Sequence, residues 1–264
     1  MIKVLVIGAC GKMGHEVVKA VVAQDNMSLV GAVDLFNEGL DIGSIVLNKE
    51  LGVKIQSNLE LAISELKPDV AIDFTQPSVI YNNAKILLNA GVRPVIGTTG
   101  LTDDQLEELK RISEEKNVSA LIAPNFTIGA VLMMMFAQKA AKYFDNAEII
   151  ELHHNQKKDA PSGTAVKTAQ MMAQEKPNFA KNNCAETELI AGSRGGNSYS
   201  NIHIHSVRMP GYIASQEVLF GAAGQIMTIR HDSMDRECYM SGVVLAVNHV
   251  YNNSGFVYGL DNIL

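Results

Sequence analysis

The sequence predicts an α/β protein with two domains. In the first half of the 264 residues, short, fully apolar runs alternate with amphipathic segments, which is typical of a parallel sheet covered by helices on both faces. Beyond about Phe144, runs of alternating apolar and polar residues predict an open, largely antiparallel sheet with one solvated face. The chain is long enough to bury a core in each of two modest domains.

In the first half, each apolar run is expected to form a strand and the amphipathic segments between them helices. The expected strands are Ile2–Ile7, Leu29–Val33, Val70–Phe74, Pro94–Ile96 and Ala120–Ala123. The expected helices are Lys12–Gln24, Ser78–Ala90 and Thr102–Lys116. The last helix has Thr102 as its natural N-cap and acidic residues in its first turn, where they complement the helix dipole.

In the second half, a strand is expected at Ala147–Leu152 and a helix at Ala165–Ala173. The alternating runs that follow are expected to be strands at Asn201–Arg208, Ser215–Phe220 and Gln225–His231. The stretch Asp235–Val250 has a helical pattern again, and we expect it to return to the first domain.

Composition excludes several classes of function. A net charge of −6 argues against a nucleic-acid-binding protein, which needs a basic face. No apolar stretch reaches the length of a membrane span, and the first apolar run is too short for a signal-peptide core. The three cysteines include no Cys-x-x-Cys pair and indicate reduced thiols. We therefore expect a cytoplasmic protein that binds neither nucleic acid nor membrane.

Two further patterns are not expected to carry chemistry. His203 and His205 alternate along an expected strand, but no third ligand is evident, so we expect no metal site. Tyr81 and Lys85 have the Tyr-x-x-x-Lys spacing of short-chain dehydrogenases, which places both on one face of a helix. The pair lies too early in the chain for that family, and we expect no catalytic role for it.

A glycine-rich turn joins the first strand to the first helix. Gly8 permits a tight turn, Gly11 lets the backbone approach a pyrophosphate, and Gly14 allows close packing of helix on strand. The second strand is followed by Asp34, whose carboxylate can accept hydrogen bonds from ribose hydroxyls. The order of strand, glycine turn, helix, strand and acid predicts a Rossmann-like dinucleotide-binding domain.

The residues after Asp34 bear on the choice of dinucleotide. Leu35-Phe36-Asn37 contains no arginine or lysine, so a 2′-phosphate would meet the carboxylate of Asp34 without an adjacent cation. We therefore expect NADH to be at least as acceptable as NADPH, although Lys12 can partly compensate.

Two loops at later strand ends are expected on the same edge of the sheet, where ligands bind in open parallel sheets. They are Gly97-Thr-Thr-Gly100 and Ala123-Pro-Asn-Phe126. Thr98, Thr99 and Asn125 can contact ribose or nicotinamide there. Ordinary turn chemistry explains the glycines but not the placement of both loops.

The densest group of chemically active residues follows the strand at 147–152. The segment Glu151-Leu-His-His-Asn-Gln-Lys-Lys-Asp-Ala-Pro-Ser-Gly-Thr-Ala165 combines two histidines, two lysines and a Pro-Ser-Gly-Thr turn before a helix. It offers a proton donor near neutral pH, fixed positive charge and free backbone N–H groups. These features suit an anionic substrate that is protonated as it reacts. A surface loop with incidental histidines is the alternative, and it leaves the lysine and the Ser-Gly-Thr turn unexplained.

These motifs resemble the dihydrodipicolinate reductase family, now called 4-hydroxy-tetrahydrodipicolinate reductases, over essentially the whole chain. The most specific of them is Glu151-x-His-His-x-x-Lys-x-Asp-Ala-Pro-Ser-Gly-Thr-Ala165. The others match in order: Gly8-x-x-Gly-x-Met-Gly14, Asp73-Phe-Thr75, Gly97-Thr-Thr-Gly100, Ala123-x-Asn-Phe126 and Ser206-Val-Arg208.

The resemblance implies NAD(P)H-dependent reduction of 4-hydroxy-tetrahydrodipicolinate to tetrahydrodipicolinate, with loss of water, in the diaminopimelate pathway to L-lysine. It implies a dinucleotide-binding domain at residues 1–125 with a C-terminal return at 234–264. Residues 126–233 would form the substrate-binding and oligomerisation domain, with an open mixed sheet. Homotetramers joined through these sheets, here built from Asn201–His231, are expected.

By the same resemblance, His153 is expected to be the general acid and Lys157 its catalytic partner. The expected contacts with the small cyclic dicarboxylate substrate are His154, Gly163 and Thr164. The expected contacts with NADH or NADPH are Gly8, Ala9, Cys10, Gly11, Lys12, Met13, Asp34, Gly97, Thr98, Thr99, Ala123, Pro124, Asn125 and Phe126. The chain departs from the family at Gln216, where histidine is frequent, and Lys158 adds a cation outside the motif.

Two other functions share part of this pattern. A different two-domain NAD(P)-dependent reductase, such as an aspartate dehydrogenase-like enzyme, would share the glycine turn but would not need the histidine, lysine and Ser-Gly-Thr set. A redox-sensing protein would bind NADH without turning over any dicarboxylate.

Overall fold

The computed structural model describes residues 1–181, 184–197 and 199–264. They form two compact units, Met1–Ile128 with Tyr239–Leu264, and Gly129–Cys238. The strands are β1 (Ile2–Ile7), β2 (Met27–Val33), β3 (Ile55–Gln56), β4 (Val70–Asp73), β5 (Arg93–Ile96), β6 (Ala120–Ile122), β7 (Asn146–His153), β8 (Gly196–Asn197), β9 (His203–Arg208), β10 (Ala214–Ala222), β11 (Gln225–Ser233) and β12 (Phe256–Tyr258). The helices are α1 (Lys12–Val22), α2 (Ile42–Val46), α3 (Leu59–Leu66), α4 (Pro77–Asn89), α5 (Asp103–Lys116), α6 (Ile128–Ala141), α7 (Gly163–Glu175) and α8 (Met240–Asn252).

The first unit is built on a seven-stranded sheet in the order β12-β6-β5-β4-β1-β2-β3. Every neighbouring pair in it is parallel, which confirms the fold expected from the apolar runs. Residues of α4 and α5 pack against β5 and β6 in one buried cluster, and residues of α3 and α4 pack against β1 and β2 in another. The parallel arrangement brings the carboxyl ends of β1, β2, β5 and β6 to one edge of the sheet.

The expected capping of α5 is confirmed, whereas several short elements were not expected. The Thr102 side chain accepts a hydrogen bond from the N–H of Gln105, whose side chain in turn binds the N–H of Thr102. The unexpected elements of this unit are α2, β3, α3 and β12. They span between two and eight residues, too few for a hydrophobic period to be read from the sequence.

The second unit contains a five-stranded mixed sheet in the order β11-β10-β7-β9-β8. The pairs β10–β11, β10–β7 and β8–β9 are antiparallel, as the alternating pattern predicted. The pair β7–β9 is parallel because α7 lies in the connection between the two strands, and a helical crossover returns the chain in the same direction. One face of the sheet packs with α6 and α7 around a core that includes Ile149, Ala169 and Phe220.

Two element boundaries in the second half differ from expectation. The strand expected from Asn201 begins at His203, because Ser200 and Asn201 have φ values of 60° and 65°, which an extended strand does not allow. The helix expected from Asp235 begins as a 3₁₀ turn at Arg236–Tyr239, and α8 follows it.

The helix α6 was also not expected as an element. Its methionines Met133 and Met134 are buried and act as packing residues. Within the described ranges, no helix combines the length and the apolarity needed to cross a membrane.

Candidate active site

The turn between β1 and α1 leaves no room for a side chain at Gly8 or Gly14. Gly8 has a φ of +76°, and a Cβ on Gly14 would lie 2.1 Å from the carbonyl oxygen of Gly8. α1 follows Gly11 as its N-cap, and among the described residues no side chain caps it and no acid lies in its first turn. Its first N–H groups therefore offer a place for an anion, as the glycine spacing predicted.

Asp34 lies directly beside this turn. Its Oδ2 accepts a hydrogen bond from the backbone N–H of Cys10 at 2.8 Å, and its Oδ1 accepts one from the N–H of Phe36 at 3.1 Å. Each carboxylate oxygen has further lone pairs, so both remain able to accept from ribose hydroxyls. Burial and the nearby carboxylate of Asp34 raise the pKa of the Cys10 thiol, which therefore stays protonated.

Phe74, which follows β4, connects the glycine turn to the two later loops. A Cβ on Gly8 would lie 2.9 Å from the carbonyl oxygen of Phe74, and a Cβ on Gly97 would lie 2.0 Å from its ring. The ring also packs against Phe126, with centroids 5.7 Å apart. Sequence reasoning gave Phe74 no role, although the motif Asp73-Phe-Thr75 contained it. The structure therefore brings the loops after β5 and β6 to the same place as the glycine turn.

Asp73, the last residue of β4, is a fully buried carboxylate beside these loops. It accepts hydrogen bonds from the N–H and the hydroxyl of Thr75 at 2.9 and 2.6 Å, and from the side chain of Asn83 at 2.9 Å. Burial raises the pKa of Asp73, and these hydrogen bonds oppose the rise. These hydrogen bonds fix the backbone at the start of the loop that contains Phe74.

The loops after β5 and β6 contain polar groups that fit a dinucleotide. The Thr98 hydroxyl oxygen is buried without a hydrogen-bond partner among the described residues. The Asn125 side-chain oxygen accepts from the N–H of Thr127 at 2.9 Å, which fixes the orientation of its amide. A buried hydroxyl without a partner is costly unless a ligand satisfies it. Together with the glycine turn and Asp34, these groups fit NAD(P)H.

In the second unit, His153 lies at the end of β7. Its Nδ1 is 2.5 Å from Oε2 of Glu151, and the two residues share one face of the strand because they are two positions apart. A carboxylate can only accept, so Nδ1 carries the proton of this hydrogen bond. Nε2 is then the ring nitrogen that remains to act on a substrate.

Glu151 is fully buried and forms a bidentate pair with Arg208. The Arg208 nitrogens Nη1 and Nη2 donate to the two carboxylate oxygens at 2.8 and 2.7 Å, and the backbone N–H of Ser162 donates to Oε1 at 3.2 Å. Burial alone raises the pKa of Glu151. Hydrogen bonds from His153, Arg208 and Ser206 outweigh it and lower the pKa to about 2. Glu151 is therefore ionised at neutral pH.

The helix start expected after the Pro-Ser-Gly-Thr turn is confirmed by α7. Ser162 is its N-cap, and the Ser162 hydroxyl accepts from the N–H of Ala165 at 3.2 Å. A Cβ on Gly163 would meet nothing within 4 Å, so open space adjoins the first turn. The N–H groups of Gly163 and Thr164 lack acceptors within the helix by geometry and suit a carboxylate ligand.

Lys157 and His154 lie in the loop between β7 and α7. The Lys157 ammonium group is 2.8 Å from each carboxylate oxygen of Asp159, and the Asp159 carbonyl accepts from Nη2 of Arg208 at 2.8 Å. His154 is exposed, and its Nδ1 accepts from the N–H of Gln156 at 3.2 Å. The structure therefore connects Lys157 to the same array as His153, through Asp159 and Arg208.

Sequence reasoning assigned no role to Glu151 or Arg208, although both lie in matched motifs. The spacing of two residues from His153 on a strand, at a core-facing position, could have identified Glu151. Arg208 has no local signal, because it lies beside His153 only through the parallel register of β7 and β9.

Gln216 lies opposite Glu151 in the register of β10 and β7. It is buried, and its side-chain nitrogen donates to the Thr168 hydroxyl on α7 at 2.9 Å. Gln216, which differs from the histidine frequent in the family, thus joins β10 to α7.

The two patterns that were not expected to carry chemistry have structural partners. Lys85 pairs with Glu108 at 2.8 Å, and the Tyr81 hydroxyl also binds Glu108, so the pair joins α4 to α5. His205 binds Glu148 at 2.7 Å. In the part of the chain that the structure describes, no group of three His, Cys, Asp or Glu side chains could hold a metal ion.

One unit thus carries a turn that fits a dinucleotide, and the other carries a carboxylate-bound histidine and the start of α7, where the N–H groups of Gly163 and Thr164 have no acceptor within the helix. These features define the class as a dinucleotide-dependent oxidoreductase. Residues 2–126 and 129–264 match the family models described as dihydrodipicolinate reductase, N-terminus and C-terminus. The chain belongs to the dihydrodipicolinate reductase family, and the resemblance seen in its motifs is confirmed.

Individual relatives match this chain over nearly its full length. A 4-hydroxy-tetrahydrodipicolinate reductase from Listeria innocua serovar 6a is 54% identical over 263 residues, which is 99% of each chain. One from Desulfitobacterium hafniense is 51% identical and covers 100% of this chain and 98% of its own. The solved dipicolinate-bound dihydrodipicolinate reductase from Paenisporosarcina sp. TG-14 is 47% identical, with a TM-score of 0.90 over 100% of both chains. Membership in this reductase family implies NAD(P)H as the reductant.

Proposed function

We propose that this protein reduces 4-hydroxy-tetrahydrodipicolinate to tetrahydrodipicolinate, with loss of water and with NAD(P)H as reductant. This is the reaction named for its relatives, and it belongs to the diaminopimelate pathway to L-lysine. The observation that carries the proposal is the carboxylate-bound His153 beside the start of α7, in a chain of this family.

The proposed cofactor contacts follow the edge of the parallel sheet. The turn Gly8–Met13 would hold the pyrophosphate, Asp34 the adenosine ribose, and Gly97–Thr99 with Ala123–Phe126 the ribose and nicotinamide. When bound, NAD(P)H supplies a hydride to a conjugated carbon of the substrate ring. NADH is at least as acceptable as NADPH, because a 2′-phosphate would be repelled by the Asp34 carboxylate.

The chain itself supplies the proton. Once the 4-hydroxyl has left as water and the ring has been reduced, an enamine-like electron pair on carbon needs a proton. Nε2–H of protonated His153 donates it, and the ring becomes neutral while Nδ1–H stays bound to Glu151. The ammonium group of Lys157 stabilises the negative charge that develops on the ring.

Two groups of residues would hold the two substrate carboxylates. The N–H groups of Gly163 and Thr164, with the Thr164 hydroxyl, bind one of them at the start of α7. The cationic loop that carries His154 and Lys157 binds the other. With both carboxylates held, the ring keeps one orientation, and orientation of this kind accounts for a large part of many enzymatic rates.

The remaining parts of the proposal concern domains, assembly and location. Residues 1–125 with 234–264 bind the cofactor, and residues 126–233 bind the substrate and join subunits into a homotetramer. We place the protein in the cytoplasm, with a small cyclic dicarboxylate as its substrate and no nucleic-acid or membrane partner.

The test is an NADH-oxidation assay in which pyruvate and aspartate semialdehyde are condensed in place to generate the substrate. We expect turnover in the wild type and a loss of at least about 100-fold in kcat for His153→Ala, with NADH binding retained. His205→Ala is the matched control, because His205 is also bound to a carboxylate of the same sheet. Turnover retained in His153→Ala would remove the acid from its role. A wild type that binds NADH without turnover would instead support a redox sensor.

A further inference from the structure

Glu151 lies at the centre of a hydrogen-bonded array that reaches each part of the proposed substrate site. Its Oε2 binds Nδ1 of His153, the proposed acid. Its Oε1 binds the backbone N–H of Ser162, the residue that caps α7. Arg208 binds both oxygens and also the carbonyl of Asp159, whose carboxylate holds Lys157. One buried carboxylate thus connects proton donor, helix start and lysine.

We infer that Glu151, held by Arg208, is the positioning residue of this enzyme and that it fixes His153 in the tautomer with the proton on Nδ1. The inference rests on the proposed function of His153 and deepens it. Nothing in the chemistry requires Glu151 to touch the substrate, because it is fully buried and both of its oxygens are already bound.

The tautomer follows from what each partner can donate. An ionised carboxylate has no hydrogen to give, so every group around Glu151 must present one. Arg208 presents two, the Ser162 N–H and the Ser206 hydroxyl one each, and His153 the hydrogen on Nδ1. Neutral His153 therefore has a bare Nε2, and protonated His153 carries on Nε2 the hydrogen that it can donate.

Glu151→Gln keeps the size of the side chain but replaces one hydrogen-bond acceptor by a donor. Its amide NH₂ must take the place of one carboxylate oxygen. In the Oε1 position it faces Nη2 of Arg208 and the N–H of Ser162, and in the Oε2 position it faces Nη1 of Arg208 and Nδ1 of His153. Either orientation sets two donors against each other. The orientation with NH₂ at Oε2 also favours the opposite tautomer of His153.

Arg208 explains how the carboxylate can be buried at this point. An isolated buried charge is costly, whereas a bidentate arginine satisfies both oxygens and fixes the plane of the carboxylate. The plane of the carboxylate in turn sets the direction of the hydrogen bond to His153. Arg208 also donates to the Asp159 carbonyl, and this bond holds the loop that carries Lys157 in the same frame.

The same strand offers a matched control. Glu148, three positions before Glu151 on β7, also accepts from a histidine and an arginine, His205 and Arg194, each at 2.7 Å. An odd separation along a strand places it on the opposite face of the sheet from Glu151. Glu148→Gln therefore removes the same charge from the same kind of cluster, away from His153.

The experiment compares wild type, Glu151→Gln, Glu151→Asp and Glu148→Gln in the full chain. It measures kcat, the Kd of NADH, the Kd of dipicolinate as a dicarboxylate probe, and the ¹⁵N NMR shifts of the histidine rings at alkaline pH. His153→Ala identifies the His153 signals by their absence. We expect Glu151→Gln to lose about 100-fold in kcat, the contribution typical of acid catalysis, with the Kd of NADH near wild type. Glu151→Asp keeps the charge and should recover part of the loss, and Glu148→Gln should match wild type.

The NMR result stands apart from turnover. Neutral wild-type His153 is expected with its proton on Nδ1, and Glu151→Gln is expected to shift the proton towards Nε2. A wild type with the proton on Nε2 would overturn the inference, even if Glu151→Gln failed to fold. Equal kcat values for Glu151→Gln and Glu148→Gln would overturn it as well. A wild type without any turnover would refute the proposed function instead, while the tautomer could still be read.

Discussion

Acid is expected to destabilise the wild-type protein more steeply than Glu151→Gln. The pKa of Glu151 is about 2 in the folded protein against an ordinary value of 4.5, because the bonds from His153 and Arg208 outweigh the effect of burial. A carboxyl with a lowered folded pKa contributes stability that is fully present above its ordinary pKa and is lost as the pH falls towards the folded pKa. The difference amounts to about 3 kcal/mol of unfolding free energy, of which about 2 kcal/mol is lost between about pH 5 and about pH 3.

The assay is urea unfolding at several pH values in this window, followed by far-UV circular dichroism because the chain contains no tryptophan. The readout is the difference in unfolding free energy between wild type and Glu151→Gln. Asp41 and Asp232 also have lowered pKa values, but they have no contact with the Glu151 array, so they titrate equally in both proteins and cancel. Parallel pH profiles for the two proteins would refute the assigned ionisation of Glu151.

Two predictions concern the cofactor. Gly14→Ala is expected to abolish NADH binding, measured by NADH fluorescence, because its Cβ would lie 2.1 Å from the Gly8 carbonyl oxygen, a backbone atom that cannot move aside. Gly221→Ala, whose Cβ would lie 3.9 Å from Asn146, is the control, and equal binding by both variants would contradict the proposed binding of the cofactor by the glycine turn. Asp34→Asn is expected to weaken NADH binding about tenfold, since a charge-assisted hydrogen bond is worth about 1.5 kcal/mol, and to favour NADPH in relative terms. An unchanged ratio of kcat/KM for the two coenzymes would show that Asp34 does not contact the ribose.

The sequence was enough to predict those parts of the candidate site whose residues directly follow a strand or begin a helix. The glycines at 8, 11 and 14, the acid at 34 and the loops at 97 and 123 each follow a strand of a parallel sheet, so their meeting at one edge was predictable. The start of α7 was predictable for the same reason, because Ser162 and Gly163 are neighbours in sequence and in space.

The array around Glu151 depends on long-range register instead. Arg208 reaches Glu151 across 57 positions of the chain, and only the parallel pairing of β7 with β9 brings it there. That pairing was itself not predicted, because the alternating pattern of β9 is the same whether its neighbour is parallel or antiparallel. The residues proposed to act on the substrate were therefore accessible to sequence reasoning, and so was the core-facing position of Glu151, whereas Arg208 was not.

The path of the chain through the first unit has a consequence for protein synthesis. Strand β12 pairs with the edge of β6, and α8 contributes Val243, Val247 and Val250 to the interior, yet both follow the whole second unit along the chain. As the nascent chain leaves the ribosome, residues 1–128 emerge with the backbone of β6 unpaired at one edge. The sheet of the first unit therefore emerges first but can be completed only after β12 has been synthesised. Until then, β6 remains an unpaired edge strand.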